Sequence, residues 1–289
     1  MGFSYVTSVS NYASGAGTTL DTVGSLNVLA GDVLVGSCTW SGGDTVATLA
    51  ETGAGNALTM FARIISTDTY LRMGYKIGAD ENNTTWRMTT ADSRTYRYFC
   101  IMQFRPDAGE TVTLDAGPSA GTGSGTAPQS GNVDTSGIDE IIVGTSSSFD
   151  FATVTSELIA DGAATGAVDV GSGGDILLGI WYKIFTEDPG DAIHAQATLG
   201  SSQRWCCDIC AIKSVEAAVT LEQEGFRARN DDGNEVAATW LADQDTNFTR
   251  AKNTNTRLRM LLNATGDPPA NAYRIEVRKQ GVGDYKKIN

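Results

Sequence analysis

The chain has 289 residues, 41% of them hydrophobic, with 33 glycines and a formal charge of −13. That length buries a sizeable core without disulfide or metal staples, and short apolar runs between Gly, Ser, Thr, Asp and Asn predict many short strands, an all-β fold. The acidic balance sets nucleic acid aside as a partner, the lack of any run near about 18 apolar residues sets a membrane span aside, and five irregularly placed cysteines do not make a secreted disulfide framework.

The opening MGFSYVTSVSNYASGAG has no basic and no apolar leader, so no signal peptide is expected, and Val6 stands where a myristoylation motif wants Ser or Thr. The chain reads as made in the cytosol. Behind an Asp turn, residues 33–38 form a first apolar strand. Tyr75-Lys76-Ile77 lies on a second, and Tyr98, Cys100, Met102 and Phe104 alternate on a third with one face in a core.

These features recur. Tyr75-Lys76-Ile77 returns as Tyr182-Lys183-Ile184, an offset that also takes Asp32 to Asp139, Arg97 to Arg204, Tyr98 to Trp205 and Cys100 to Cys207. With one inserted residue, Val35-Gly36-Ser37 pairs with Val143-Gly144-Thr145. Residues 1–217 therefore read as two related halves, about 1–107 and 108–217. Between them, residues 117–137 hold two prolines and no large apolar group, a loop or extended crossover long enough to cross a sandwich edge. The favoured arrangement is one large jelly-roll-like β-sandwich built from both halves.

The duplication bears on RWCCDICAI, residues 204–212, which carries a C-x-x-C at Cys207 and Cys210. Its counterpart RYFCIMQF has one cysteine. On a strand, Cys207 and Cys210 point to opposite faces, while Cys206 and Cys210 share a face about 13 Å apart, so neither pair grips one metal ion. With a single histidine, His194, a four-ligand zinc site lacks partners. Cys100, Cys207, Tyr98 and Trp205 read as structural core thiols and aromatics.

A third unit spans residues 218–289. GFRARN and EVAATW flank Asp231-Asp232-Gly233-Asn234, a hairpin signal, and Tyr273, Ile275 and Val277 alternate with charged residues as a half-buried strand. This predicts a small immunoglobulin- or fibronectin-like sandwich. Charge is uneven: 7 basic and 9 acidic residues in 1–107, 3 and 15 in 108–217, 11 and 10 in 218–289.

No catalytic set emerges. His194 sits in DPGDAIHAQATLG, a strand start; GTGSG at 121–125 has the glycines of a phosphate loop without the following Lys and helix; most carboxylates lie in turn contexts such as AGD, DDG and EDPGD. Asp231, Asp232 and Asn234 lack calcium-loop spacing. No cofactor is expected. For sugar binding the candidates are Trp40 and Trp86 at loop borders, since Trp181 and Trp205 lie in apolar strands.

FRPDAGETVTLDAGPSAGTGSGTAPQSGNVDTSGIDEIIVG and ATLGSSQRWCCDICAIK are similar to a β-sandwich module of tailed-phage virion proteins. The segment from QEGFRARNDDGNEV to NAYRIEVRK resembles an end module of phage structural proteins. The resemblance implies a virion surface protein, a capsid decoration or a head- or tail-fibre component, assembled in the host cytoplasm and homo-oligomeric. Such a protein works by contact with other virion proteins and is not an enzyme. The alternative is a glycan-binding receptor-recognition module using Trp40 and Trp86; a carboxylate-based polysaccharide hydrolase is the third reading.

Overall fold

The computed structural model describes residues 2–43, 47–53, 55–67, 69–149, 153–170, 176–216, 220–232, 237, 239–265, 276–277 and 286–287. The protein is all-β, with no helix among the described residues. It divides into two compact units, Met1–Glu216 and Ala217–Asn289.

The first unit holds β1 (Phe3–Ala13), β2 (Gly17–Val28), β3 (Val33–Ser41), β4 (Ala47–Glu51), β5 (Thr59–Met60), β6 (Ile64–Ser66), β7 (Thr69–Lys76), β8 (Asn82–Arg94) and β9 (Arg97–Pro106). It continues with β10 (Glu110–Ala116), β11 (Gly121–Gly125), β12 (Glu140–Phe149), β13 (Val154–Ile159), β14 (Gly162–Ala163), β15 (Gly166–Val170), β16 (Ile176–Phe185), β17 (Ala195–Leu199) and β18 (Gln203–Glu216). Strands β1 to β9 form a large sheet, β1-β9-β3-β7-β5 with β6 also on β7, and a small sheet, β2-β8-β4. Strands β10 to β18 form a large sheet, β10-β18-β12-β16-β15 with β11 also on β18, and a small sheet, β14-β13-β17. Replacing β1, β3, β7 and β9 by β10, β12, β16 and β18 converts one large sheet into the other. Residues 126–133 run along β17 as β2 runs along β8: Leu199 N–H donates to Thr126 O at 2.8 Å and Val133 N–H to Ile193 O at 2.8 Å.

The halves are stacked rather than interleaved, because each sheet draws its strands from one half only. Val33, Val35, Met73, Met102 and Phe104 pack against Ile141, Val143, Leu178, Ile180 and Ile212, so the two large sheets share a central core. Their outer faces carry separate cores: Leu34, Trp40 and Phe99 against Leu26, Trp86 and Met88 of one small sheet, and Ile142, Trp181 and Ile209 against Ile159 and Ala195 of the other. The layers run small, large, large, small. Strands covered on both faces need no polar alternation, which is why β3 and β12 are buried almost end to end. Serine and threonine line part of the central layer. Thr39 Oγ1 and Ser147 Oγ lie 2.6 Å apart, and Thr145 Oγ1 donates to Ser37 Oγ at 2.9 Å, tying the halves in one register.

Gly36 and Gly144 occupy corresponding places where the layers approach closely. A Cβ on Gly36 would meet Leu58 Cδ1 at 2.7 Å, and one on Gly144 would meet Ala195 Cβ at 2.5 Å. This backbone proximity accounts for the Val-Gly pair in each half.

The structure corrects the repeat register in the closing strand. Val35 lies opposite Met102, and Val143 opposite Cys210, so Met102 corresponds to Cys210 and Cys100 to Asp208, not to Cys207. Val33 pairs with Phe104 and Ile141 with Ile212, so the counterpart of Asp32 is Glu140, not Asp139. A one-residue slip in a period-two strand exchanges its faces. Tyr98 and Cys100 accordingly face the central core, while Cys207 faces the outer core with Trp205 against its edge. The glycine-rich 121–125 is strand β11 on β18 and not a loop, because Gly123 admits the Trp205 ring at a distance no side chain would allow.

In the second unit, β19 (Thr220–Asn230) pairs with β20 (Thr256–Thr265), and β21 (Glu276–Val277) with β22 (Lys286–Lys287). The expected turn at Gly233-Asn234 and the strand residues Tyr273 and Ile275 lie outside the described residues. Beside that turn, Asn230 N–H donates to Thr239 O at 2.9 Å and Leu241 N–H to Ala228 O at 3.0 Å.

Candidate functional site

The two proposed sugar platforms are inside the protein. Trp40 and Trp86 are 0% exposed and belong to the outer core of the first half, where Trp40 stacks on Tyr70 with ring centroids 5.6 Å apart. The sheet β2-β8-β4 covers the end of β3 that the sequence alone leaves open, and β8 carries Trp86 into the same layer. Neither indole can meet a ligand without unfolding that layer.

All five cysteines are buried and free. Burial pushes the Cys38 and Cys206 thiols up to about 12 and raises Cys100, Cys207 and Cys210 as well, so the thiolate needed for redox or metal chemistry is disfavoured. Among the described residues no group of three His, Cys, Asp or Glu side chains is arranged to hold a metal ion. His194, itself mostly buried, has its Nε2 3.4 Å from Oδ1 of the exposed Asp161.

Asp32, Glu140 and Asp208 are buried carboxyl groups that the sequence does not single out. Asp32 sits at the start of β3 with its side chain 1% exposed; Arg105 donates from Nε at 2.8 Å and from Nη2 at 3.0 Å, and Gln103 Nε2 donates at 2.6 Å. A cleft of about 470 Å³ opens beside this pair, but the guanidinium is already satisfied by Asp32.

The matching end of the second large sheet is built differently. Glu140 on β12 pairs in register with Lys213 on the central strand β18, and Asp115 on β10 falls in a bulge between Leu114 and Ala116 that turns its side chain toward Lys213. Lys213 Nζ and Asp115 Oδ1 are 2.5 Å apart, and Ser136 donates to Asp115 from its N–H at 2.8 Å and from Oγ at 2.7 Å. Glu140 is wholly buried, stands in register with Lys213 of the next strand, and accepts Gly137 N–H on Oε1 at 3.0 Å. Burial, then the neighbouring Asp115, push Glu140 up to about 8, so it holds a proton at neutral pH. Burial would also raise Asp115, but hydrogen bonds from Lys213 and Ser136 outweigh it and hold this carboxyl at about 2.

The third is Asp208, between Cys206 and Cys210 in sequence and opposite Thr145 of β12. It is 0% exposed, accepts its neighbour Ile209 N–H at 2.9 Å, and is pushed up by burial to about 7.

The second unit presents a different surface. Leu258, Met260, Leu261 and Leu262 on β20 are 36–54% exposed, and because three of them are consecutive, both faces of that strand show apolar groups. Beside them Trp240 lies under the guanidinium groups of Arg227 and Arg229, 4.1 and 4.5 Å from its ring centroid, with Arg259 at 5.8 Å. Comparison with family models, with curated proteins and with solved structures returned no match.

Proposed function

We propose that the protein is a non-enzymatic structural component of a phage particle surface, a capsid decoration or a head- or tail-fibre protein, working through contacts with other virion proteins and with its own copies. The observation that carries this reading is the apolar strand β20, whose Leu258, Met260, Leu261 and Leu262 remain exposed beside the cation-covered Trp240. An apolar row of this kind beside aromatic and Arg side chains has the composition of a protein–protein contact centre. The first unit complements it as a scaffold, with central strands packed on both faces and an acidic second half that resists non-specific association. The similarity of its segments to virion sandwich and end modules points the same way.

Glycan recognition has less to stand on. Trp40 and Trp86 are buried, and cations occupy the Trp240 ring that a sugar would need.

Light scattering of the purified chain, with co-sedimentation on undecorated heads and on isolated tails, tests the proposal. Binding to either at fixed stoichiometry is expected, and Leu261→Asp should abolish it. A monomer that ignores both particles, or binding unaffected by Leu261→Asp, would overturn the reading or its assignment to β20.

A further inference from the structure

We propose that Lys213 and Asp115 condense into an intramolecular amide bond, Nζ to Cγ, with Glu140 carrying the protons, so that the first and last strands of the second half become covalently joined. The three side chains stand on neighbouring strands, with β18, which carries the lysine, between β10 and β12. Nζ is already in contact with the Asp115 carboxyl at 2.5 Å, and that carboxyl is 4% exposed. Positioning of this kind removes most of the entropic barrier to a reaction between two groups. A buried carboxylic acid beside the reacting pair is the remaining requirement, and Glu140, wholly buried and in register with Lys213 on the next strand, meets it.

The reaction balances without a co-reactant. Proton transfer within the ion pair yields a neutral amine and a neutral acid; the nitrogen lone pair attacks Cγ and forms the new C–N bond. Glu140 donates its proton to the departing hydroxyl and recovers one from the nitrogen, the C–O bond breaks, and one water leaves. Ammonium plus carboxylate become amide plus water, with no change in net charge or oxidation state.

The first half supplies the internal comparison. At the corresponding place Arg105 pairs with Asp32 through two hydrogen bonds, and a guanidinium, always protonated, is no nucleophile. The same corner of the fold is thus a permanent salt bridge in one half and a reactive pair in the other. The amide would close a loop from β10 to β18, fastening the edge of the large sheet at the point where its ladder is broken by the bulge at Asp115.

The test is the intact mass of the denatured full-length chain, followed by peptide mapping. Expected is a mass about 18 Da below that of the sequence, one water, and a branched tryptic peptide joining the segments that contain Asp115 and Lys213. Lys213→Arg, which puts here the guanidinium that Arg105 supplies at the corresponding place of the first half, and Glu140→Gln should both restore the full mass. Asp115→Asn should arrive at the same product mass by losing ammonia. A wild-type chain at full mass after prolonged incubation, or a deficit that persists in Lys213→Arg, would overturn the proposal.

Discussion

Replacing Asp208 by Asn isolates the cost of an acid placed between two stacked sheets. The carboxyl is 0% exposed and burial raises it from 3.8 to about 7, against partial compensation by the N–H groups of Ile209 and Ser119. Its folded form therefore keeps a proton that the unfolded chain releases, so stability falls as pH rises between about 4 and 7 and is flat on either side. A shift of about three pH units corresponds to about 4 kcal/mol over that window. Asn keeps the shape and cannot ionise. Denaturant unfolding at pH 4, 5, 6, 7 and 8, followed by tryptophan fluorescence, should show the variant gaining on the wild type by several kcal/mol from pH 4 to pH 8. Glu140, also raised, contributes the same slope to both proteins and cancels in the difference. Parallel stability curves for the two would refute the placement of Asp208.

Trp86→Ala should cost about 3–5 kcal/mol by emptying a site in the outer core, read as a lower urea midpoint, and should leave particle binding by the folded fraction unchanged. Gly144→Val should cost about 1–3 kcal/mol, since its Cβ alone would stand 2.5 Å from that of Ala195; unchanged thermal unfolding would contradict the close approach of β12 and β17. The five thiols should resist a disulfide reagent in the native protein and react together on unfolding, and fast native labelling at Cys207 or Cys210 would contradict their burial.

The strand class and the duplication were legible because they rest on local features: Tyr-Lys-Ile, Val-Gly and short apolar runs. The register of the last strand was not, since Arg and Cys identities one residue out of phase matched better than the true counterparts, Cys100 and Asp208. Trp40 and Trp86 looked like surface residues because each borders a polar stretch; the small sheet that covers them is assembled from strands distant in the chain. Asp32 and Glu140 looked like turn residues for a similar reason, since an Asp or Glu beside a strand is ordinarily solvated, while Asp208, inside the RWCCDICAI strand, drew no notice beside its cysteines.

By itself, then, the sequence determined that this chain makes β-strands, that it makes them twice over, and that its cysteines cannot gather around a metal. These follow from side-chain alternation and spacing, which act within one strand. Which face of each strand lies inside was decided only when the sheets stacked, and which carboxyl meets which base only when neighbouring strands took their register. Packing on both faces of the central strands removes water, and strand register then brings a lysine, a glutamic acid and an aspartate from three strands to one corner of the second half.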